Sequence, residues 1–520
     1  MRRERLLDGA AAVLLTGSAL AVALPFRREA MAAQTVFSLG WDAALHAAEG
    51  LDLFDDMRLF RPFDAAGLLL SRHWWGPLWA LVSAPFQAAF GPSLPAASLP
   101  SLVAFVLTPA AAFLLVRRLV PGGLLPAFAT VLLVAILFLG SPMLLETSAW
   151  PMLENLGGFL ALLAWLFFAR RPGRRTQRAA FLAGAVLFLL KYHFGFFVLG
   201  TFLAVVLVEE TPGARRRLGA AARALLARGA GAGILLLAAA LAALRLSLEA
   251  RGGDALASRA PSVPNVAWGS LVLFLTLGAA RRRTLSEAWA GASQAFRDLV
   301  VFGLLPVTAW CLDPANVRGW YRQIFQPTDT PERNPLAKLA AFWSFLRDDW
   351  TGGAGPAALV LFGLLLALVL PRGGTRRALA LFALWPVLLM SLDAFPVEAR
   401  FLACLAPALL AAAVAGLAAL AAALPGRARD PALTAIAVLF FLAFGAARSG
   451  AGRGARASYR YAYGPAEISA VSAAVSAAPP GGPIHLRLPA EPPVWPAVRL
   501  ALRLARRDLP PADVDVSQAP

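Results

Sequence analysis

The sequence predicts an all-α polytopic membrane protein that ends in a small soluble α/β domain. Of its 520 residues, 59% are hydrophobic, and the mean hydropathy is +0.66. Soluble proteins are only about 45–50% apolar, so the additional apolar residues of this chain could not be accommodated in a protein whose surface faces water. Apolar runs near the length of a membrane span recur along the chain, and arginines cluster in the short segments between them. Lipid is therefore the predicted solvent for most of the chain.

The net charge of +18, from 48 basic and 30 acidic residues, follows the same pattern. In a soluble protein such an excess would suggest a nucleic-acid partner. Here the arginines lie between apolar runs, as the positive-inside rule requires of cytoplasmic loops. The charge therefore indicates membrane orientation, and nucleic acid is excluded as a partner.

Thirteen apolar segments are candidates for spanning helices, separated by charged or Pro/Gly-rich breaks. They lie near residues 9–25, 98–116, 124–140, 155–169, 178–190, 192–208, 229–246, 265–280, 298–312, 355–370, 377–391, 401–424 and 431–447. The first follows MRRER and also resembles a cleavable signal peptide, with an Ala-Met-Ala stretch at 30–32. We expect an uncleaved anchor, because removing it would leave the later spans without their first partner.

One further apolar stretch, 74–91, is predicted to lie at the outer interface. As a span it would reverse every later loop and place Arg117, Arg118 and the RRPGRR run at 170–175 outside. Its tryptophans suit the headgroup level, where amphipathic rings collect. The N-terminus is then cytoplasmic, and the loops 26–97 and 313–354 lie outside together with the C-terminal end.

The chain divides into a transmembrane domain, 1–447, and a soluble domain, 448–520. The second part loses the long apolar runs. Its patterns predict a helix at 465–477, a strand at 484–488, an amphipathic helix near 495–506 and a strand at 514–517. The alanine- and arginine-rich composition of the whole chain is typical of a bacterial protein. We therefore expect the protein in the inner membrane, with the C-terminal domain in the periplasm.

The cysteines and histidines do not predict a metal or redox site. Cys311 and Cys404 are far apart in sequence, and the four histidines are scattered. No cofactor is identified, and a divalent cation remains an alternative that carboxylates would have to bind. Asp55 and Asp56 in the acidic first loop are the candidates for such a pair.

The first outer loop carries the most informative string, GWDAALHAAEG at 40–50, followed by RHWWGPLWALVSAPFQAAFG at 72–91. An acid after the first helix, a His-aromatic-Gly-Pro turn, an interfacial helix and a span ending in paired arginines together resemble the GT-C membrane glycosyltransferases. That class includes protein O-mannosyltransferases and aminoarabinose transferases. Two later strings, LLKYHFG at 189–195 and VEARFLACLAPAL at 397–409, resemble the Lys and Arg motifs of the family. The family pattern usually has a second acid, whereas Ala43 follows Asp42 here.

The resemblance implies transfer of a sugar from a polyprenyl-phosphate donor on the outer face of the membrane. Asp42 is the expected base, because a partly buried carboxylate can take the acceptor's proton. Glu154 is its expected partner, with Glu146 as the alternative. Cations would stabilise the leaving phosphate. The candidates for this role are Lys191, Arg400, Arg318 and Arg322, and the candidates for the acceptor side or the interface are His46, His73, Trp320 and Tyr321.

Each of these residues also has a structural interpretation. Asp42 can be a helix N-cap, Glu154 can complement a helix dipole, and Lys191 can extend to the headgroups. Arg400 can pair with Glu398 at the surface. The expected function is hexosyl or pentosyl transfer to a cell-envelope lipid, glycan or protein. The alternatives are a flippase or ligase of lipid-linked glycans, and a non-catalytic scaffold.

Overall fold

A computed structural model describes most of the chain as a helical bundle. The described residues are 2–32, 41–70, 76–120, 124–169, 173–208, 293–310, 335–370, 374–392, 402–425, 465–477, 483–488, 495–507 and 513–518, with residue 509 and several residues between 427 and 442. The predicted spans at 229–246 and 265–280, and most of 431–447, lie outside these ranges.

Between residues 2 and 208, the described part of the chain contains ten helices. They are α1 (Arg2–Ala32), α2 (Trp41–Arg58), α3 (Pro62–Leu70), α4 (Leu78–Phe90), α5 (Leu94–Leu119), α6 (Leu124–Leu139), α7 (Pro142–Ser148), α8 (Leu153–Phe168), α9 (Arg174–Leu190) and α10 (Tyr192–Val208). Local sequence sets several of the ends. At α5, for example, Ser93 accepts a hydrogen bond from the amide of Ala96, and Arg117 and Arg118 occupy the last turn, where cations complement the helix dipole.

The second half of the chain continues with helices and two short strands. They are α11 (Gln294–Leu299), α12 (Leu305–Trp310), α13 (Pro335–Ser344), α14 (Ala354–Val369), α15 (Gly374–Leu392), α16 (Ala406–Ala423), α17 (Pro465–Ser476), β1 (Ile484–Leu488), α18 (Trp495–Ala505) and β2 (Val514–Gln518). Turns of π-helix, Val300–Leu304 and Phe345–Trp350, follow α11 and α13.

Within the described residues, three helices are long and apolar enough to cross a membrane, or up to five if each bent pair is one span. The three are Leu6–Ala32, Leu94–Leu119 and Ala406–Ala423, and two further pairs are bent by 64° and 112°. An all-α membrane protein is therefore confirmed. Helices are also present at the other described positions where spans are predicted, and the count of thirteen stays a prediction.

Ion pairs show which helix ends share a side of the bundle. Arg117 at the end of α5 lies 3.0 Å from Asp8 near the start of α1. At the opposite end of α1, Arg27 donates to the carbonyls of Pro95 and Ser148. The N-terminus and the paired arginines therefore lie on one side, as the positive-inside argument predicts.

The interfacial stretch forms the short helix α4. Its 13 residues would extend only about 20 Å, against the roughly 30 Å of a bilayer core. Trp79, Ser83 and Gln87, one turn apart, are buried, and α4 packs against α2. Leu81 and Phe90 are exposed. The exposed face of α4 is therefore apolar, and its interfacial position stays a prediction.

The centre of the bundle is built on close helix contacts. At the crossing of α14 and α16, a Cβ added at Gly363 would lie 2.5 Å from the carbonyl oxygen of Ala413, and one at Gly416 would overlap the carbonyl of Gly363. Small residues allow such backbone approach, which is how helices associate in lipid. Alanines fill most of the buried length of α16.

The C-terminal elements are present where the sequence predicts them. The strands β1 and β2 form a parallel pair in register from Ile484 opposite Val514 to Leu488 opposite Gln518. The helix α18 packs on β2 and on α2, and one buried cluster joins Val498 and Ile484 to Ala44 of the first outer loop. The domain boundary at residue 448 stays a prediction.

Candidate functional site

A buried ion pair lies at the junction of three helices. Glu154 is in the first turn of α8, and Lys191 is the single extended residue between α9 and α10, with φ −153° and ψ 118°. The Nζ of Lys191 lies 3.5 Å from Oε1 of Glu154, and the two side chains are 2% and 1% exposed. The other oxygen, Oε2 of Glu154, has no hydrogen-bond partner among the described residues. Two sequence-predicted site residues are thus brought together.

Glycines allow the surrounding helices to approach this pair. A Cβ added at Gly157 would lie 2.6 Å from the ring of Phe194 and 3.5 Å from the Cβ of Cys404. The ring of Phe194 also faces Lys191, whose Nζ is 5.2 Å from the ring centroid. The buried thiol of Cys404 therefore lies within one helical turn of Glu154. The late motif at 397–409 thus contacts the ion pair through its second half.

Asp42 approaches the same end of the bundle from α2. It lies in the first turn of that helix and is buried. The neighbouring Ala43 and Ala44 share a buried cluster with Trp150 and Met152, which directly precede α8. Asp42 and Glu154 therefore both adjoin this cluster, which lies at one rim of the bundle.

His46 lies one turn along α2 from Asp42 and is also buried. Its Nδ1 is 3.5 Å from Oε2 of Glu49, its backbone carbonyl accepts from the indole of Trp79, and its ring is 5.8 Å from the Trp79 ring. The interfacial helix α4 thus holds the middle of α2. Just before α4, Gly76 packs so closely on Leu189 that a Cβ would overlap the carbonyl of Leu189, which connects the turn before α4 to the residues beside Lys191.

The other acids of α2 bind arginines of the C-terminal segment. Asp52 accepts hydrogen bonds from Arg499 at 2.7 Å and from Arg503 at 2.8 Å. Asp55 accepts from Arg503 at 2.7 Å and from Arg507 at 2.8 Å. We call these five residues the arginine clamp. Both oxygens of Asp55 face guanidinium groups, and the suggested pairing of Asp55 with Asp56 as cation ligands stays a prediction.

Asp56, the next acid of α2, differs from Asp52 and Asp55 in its contacts. Its Oδ1 is buried with no hydrogen-bond partner in the described part of the chain. Burial, followed by the charges of Asp52 and Asp64, raises the pKa of Asp56 to about 6, and Arg503 and Arg61 oppose the shift. Asp56 therefore carries an unfavourable charge at neutral pH.

Several predicted residues fall outside the described ranges. They are His73, Arg318, Trp320, Tyr321, Arg322 and Arg400. Glu146, the alternative to Glu154, is buried in α7. Among the residues that the structure describes, no group of three or more His, Cys, Asp or Glu side chains is arranged to hold a metal ion.

Two features of the site were not predicted from the sequence: the arginine clamp and the position of Cys404. The clamp had a visible signal, since Arg499 and Arg503 are four residues apart on one face of an amphipathic helix and Arg507 follows four residues later, just past its end. The acidic partners Asp52 and Asp55 are three residues apart on another helix. Pairing the two faces required knowledge of which helices pack together. Nothing in the sequence signalled the place of Cys404 beside Glu154.

The fold and the rim together define a helical membrane protein with buried carboxylates and a buried ammonium group at one end of its bundle. A search of solved structures then identifies what this arrangement resembles. Over 96% of this chain, it superposes on 84% of ArnT from Cupriavidus metallidurans in the apo state, with a TM-score of 0.50 and 14% identity. The form of ArnT bound to undecaprenyl phosphate matches with the same TM-score and identity over 98% of this chain and 89% of that one.

An archaeal protein shows a weaker likeness. The oligosaccharyltransferase of Archaeoglobus fulgidus in the apo form matches with a TM-score of 0.48 and 13% identity, over 91% of this chain and 58% of that one. The likeness to ArnT confirms, at the level of the fold, the resemblance predicted from the sequence. Comparisons of the sequence with protein-family profiles and with curated proteins find no match.

Proposed function

We propose that this protein is a GT-C type glycosyltransferase that moves a sugar from a polyprenyl-phosphate donor to a cell-envelope acceptor at the outer face of the bacterial inner membrane. The observation that carries the proposal is the fold shared with ArnT over nearly the whole chain, including the form of ArnT bound to undecaprenyl phosphate. The buried carboxylates Asp42 and Glu154 on one rim support it.

The proposed reaction is a single in-line displacement at the anomeric carbon. The acceptor hydroxyl oxygen forms a bond to that carbon while the bond from the carbon to the phosphate oxygen breaks. Asp42 takes the hydroxyl proton, and the donor leaves as polyprenyl phosphate. The configuration of the anomeric carbon is therefore inverted. The acceptor is a hydroxyl of a lipid, glycan or protein, and the sugar is a hexose or a pentose.

Lys191 is the proposed cation for the leaving phosphate. Its distance of 3.5 Å from Glu154 exceeds the roughly 2.7–2.9 Å of a strong charge-assisted hydrogen bond, so the pair is loosely joined. A phosphate beside Lys191 would compete with Glu154 for the ammonium group and release a carboxylate towards the reacting centre. Arg318, Arg322 and Arg400 are the further cations that we propose for the phosphate, with Trp320, Tyr321, His46 and His73 on the acceptor side.

The test is transfer by the purified protein in proteoliposomes supplied with labelled polyprenyl-phosphate sugars and a crude envelope fraction as acceptor. Asp42→Asn and Glu154→Gln are compared with wild type, and Asp64→Asn is the matched control. Asp64 is an acid of the same loop, is half-exposed and has no proposed role. Each reaction is run with EDTA and with Mg²⁺, because carboxylates are ligands for hard cations.

We expect transfer by the wild type and by Asp64→Asn. Loss of a general base reduces rates by about 10²–10⁴-fold, so Asp42→Asn should fall in that range. Transfer at the wild-type rate by both Asp42→Asn and Glu154→Gln would refute the site. A wild type that transfers from no donor, yet moves labelled lipid-linked glycan across the bilayer, would instead identify a flippase.

A further inference from the structure

The arginine clamp is a continuous buried network between two distant parts of the chain. Arginines and aspartates alternate from Arg499 through Asp52, Arg503 and Asp55 to Arg507, with all four links between 2.7 and 2.8 Å. The central side chains are almost fully buried, with Arg503 at 0%, Asp52 at 2% and Asp55 at 0% exposure. Arg503 also donates to the carbonyl of Leu509.

Asp42 also lies on α2, and the clamp contacts this helix towards its other end. Asp42 and Asp52 are ten residues apart in α2, which corresponds to about 15 Å along a helix axis. Ala47, Ala48 and Leu51, between them, belong to the same buried cluster as Val498 and Leu502 of α18. The position and rotation of α2 are therefore set from the C-terminal segment, and any shift at Asp52 is carried by a rigid helix to Asp42.

The chemistry of the clamp indicates that it fixes the orientation of α2, in addition to holding α2 and the C-terminal segment together. Burying charges costs several kcal/mol per ion, and apolar residues of similar volume often hold two elements together equally well. A guanidinium group differs in offering donors in a rigid planar fork. Arg503 directs Nε to Asp52 and one terminal nitrogen to Asp55, so its plane fixes the rotation of α2 about its own axis.

We infer that Arg503 is a positioning residue for sugar transfer: by bridging Asp52 and Asp55 it sets the rotation of α2, and so aims the Asp42 carboxylate at the acceptor hydroxyl. This inference rests on the proposed function. The C-terminal segment is then a required part of the catalytic machinery.

The experiment compares kinetics in two backgrounds. Arg503→Ala and Arg503→Lys are made in the full-length protein and again on top of Asp42→Asn. The control is Arg487→Ala, which removes an exposed arginine of the same segment, on β1. A 1 Å misplacement of a catalytic group can cost about 100-fold, so Arg503→Ala should lower kcat about 10- to 100-fold. The KM for the polyprenyl-phosphate sugar should stay within about twofold, since donor binding is left intact.

The Asp42→Asn background separates positioning from loss of folded protein. If Arg503 acts through Asp42, Arg503→Ala should change the residual rate of Asp42→Asn by less than about twofold, because residues that act as a unit are non-additive. A smaller folded fraction would instead multiply both rates by the same factor. Equal factors in the two backgrounds would overturn the inference, as would an unchanged kcat for Arg503→Ala. Arg503→Lys, which keeps the charge, should recover part of kcat.

A second measurement does not depend on activity. Spin labels are placed at Met57 of α2 and at His485 of β1, which are exposed, and the distance between them is measured by pulsed electron resonance. Arg503→Ala should broaden the distance distribution, and Arg487→Ala should leave it unchanged. If Arg503→Ala does not fold, the milder Arg499→Ala at the edge of the clamp takes its place. Absence of transfer by the wild type would refute the proposed function, whereas an unbroadened distribution would refute the clamp itself.

Discussion

The ammonium nitrogen of Lys191 lies 3.5 Å from Oε1 of Glu154 in a site from which water is almost excluded. The two residues are 37 positions apart in sequence, and the pairing depends on a one-residue break between α9 and α10. A buried pair of this kind is costly to break from one side, because the remaining charge has lost its partner.

Single and double substitutions of this pair should therefore differ in stability. Glu154→Gln or Lys191→Met alone should destabilise the protein by about 3–5 kcal/mol, whereas the double variant should lose less than the worse single variant. Thermal unfolding in detergent, followed by tryptophan fluorescence, gives the three midpoints. A double variant whose loss equals the sum of the two single losses would contradict this, because it would mean that the residues do not interact.

The stability of the protein should depend on pH through Asp56. Its pKa is raised to about 6, chiefly by burial, so protonation favours the folded state. This contribution is fully present below the ordinary pKa of an aspartate, about 4, and is lost as the pH rises through about 6. Asp56→Asn should therefore raise the unfolding midpoint at about pH 7.5 and change it little near pH 4. Asp515→Asn, on an exposed strand position, is the control, and an equal gain at both pH values would count against the shift.

The crossing of α14 and α16 should tolerate no side chain at Gly416. A Cβ there would overlap the carbonyl of Gly363, and overpacking of this kind costs about 1–3 kcal/mol or more. Gly416→Ala should therefore lower the unfolding midpoint. Gly17→Ala in α1 is the matched control, because nothing lies within 4 Å of its added Cβ. This control should be neutral or slightly stabilising, since alanine is the better helix former, and a Gly416→Ala variant as stable as the control would disprove the close crossing.

The orientation in the membrane can be tested by cysteine labelling. On a background with Cys311 and Cys404 replaced by alanine, Phe63→Cys in α3 and Arg175→Cys at the start of α9 are treated with a membrane-impermeant maleimide. Both positions are exposed. We expect the Phe63→Cys variant to react in intact spheroplasts and the Arg175→Cys variant to react only after permeabilisation. The reverse result would place the arginine loops outside and the rim site in the cytoplasm.

Much of the architecture could be predicted because hydropathy and charge act locally. The lipid requires long apolar helices, and helices lie at the described positions where spans are predicted, whereas α3 and α7 were not predicted. The short helix α4 was separable from a span because Arg117 and Arg118 had to remain inside, and the ion pair from Arg117 to Asp8 agrees. The predicted strands at 484–488 and 514–517 followed from alternation, although their parallel pairing did not.

The site was predicted only in part. Asp42, Glu154 and Lys191 were proposed as site residues because the strings that contain them resemble motifs of the GT-C family. The contact between Glu154 and Lys191, the closeness of Cys404, and the role of Asp52 and Asp55 in binding arginines were not readable from the residues. Each depends on which helix faces lie together, and that is decided by packing over long sequence distances.

By itself, the sequence predicted that the chain lies in a membrane, which of its loops are basic and where its long apolar helices lie, because these follow from the local balance of apolar and charged residues. Only the tertiary structure showed that α18 packs against α2. It joined Arg503 to Asp55 across 448 residues, and such a contact depends on the complementarity of two helix faces in three dimensions, which no local pattern encodes.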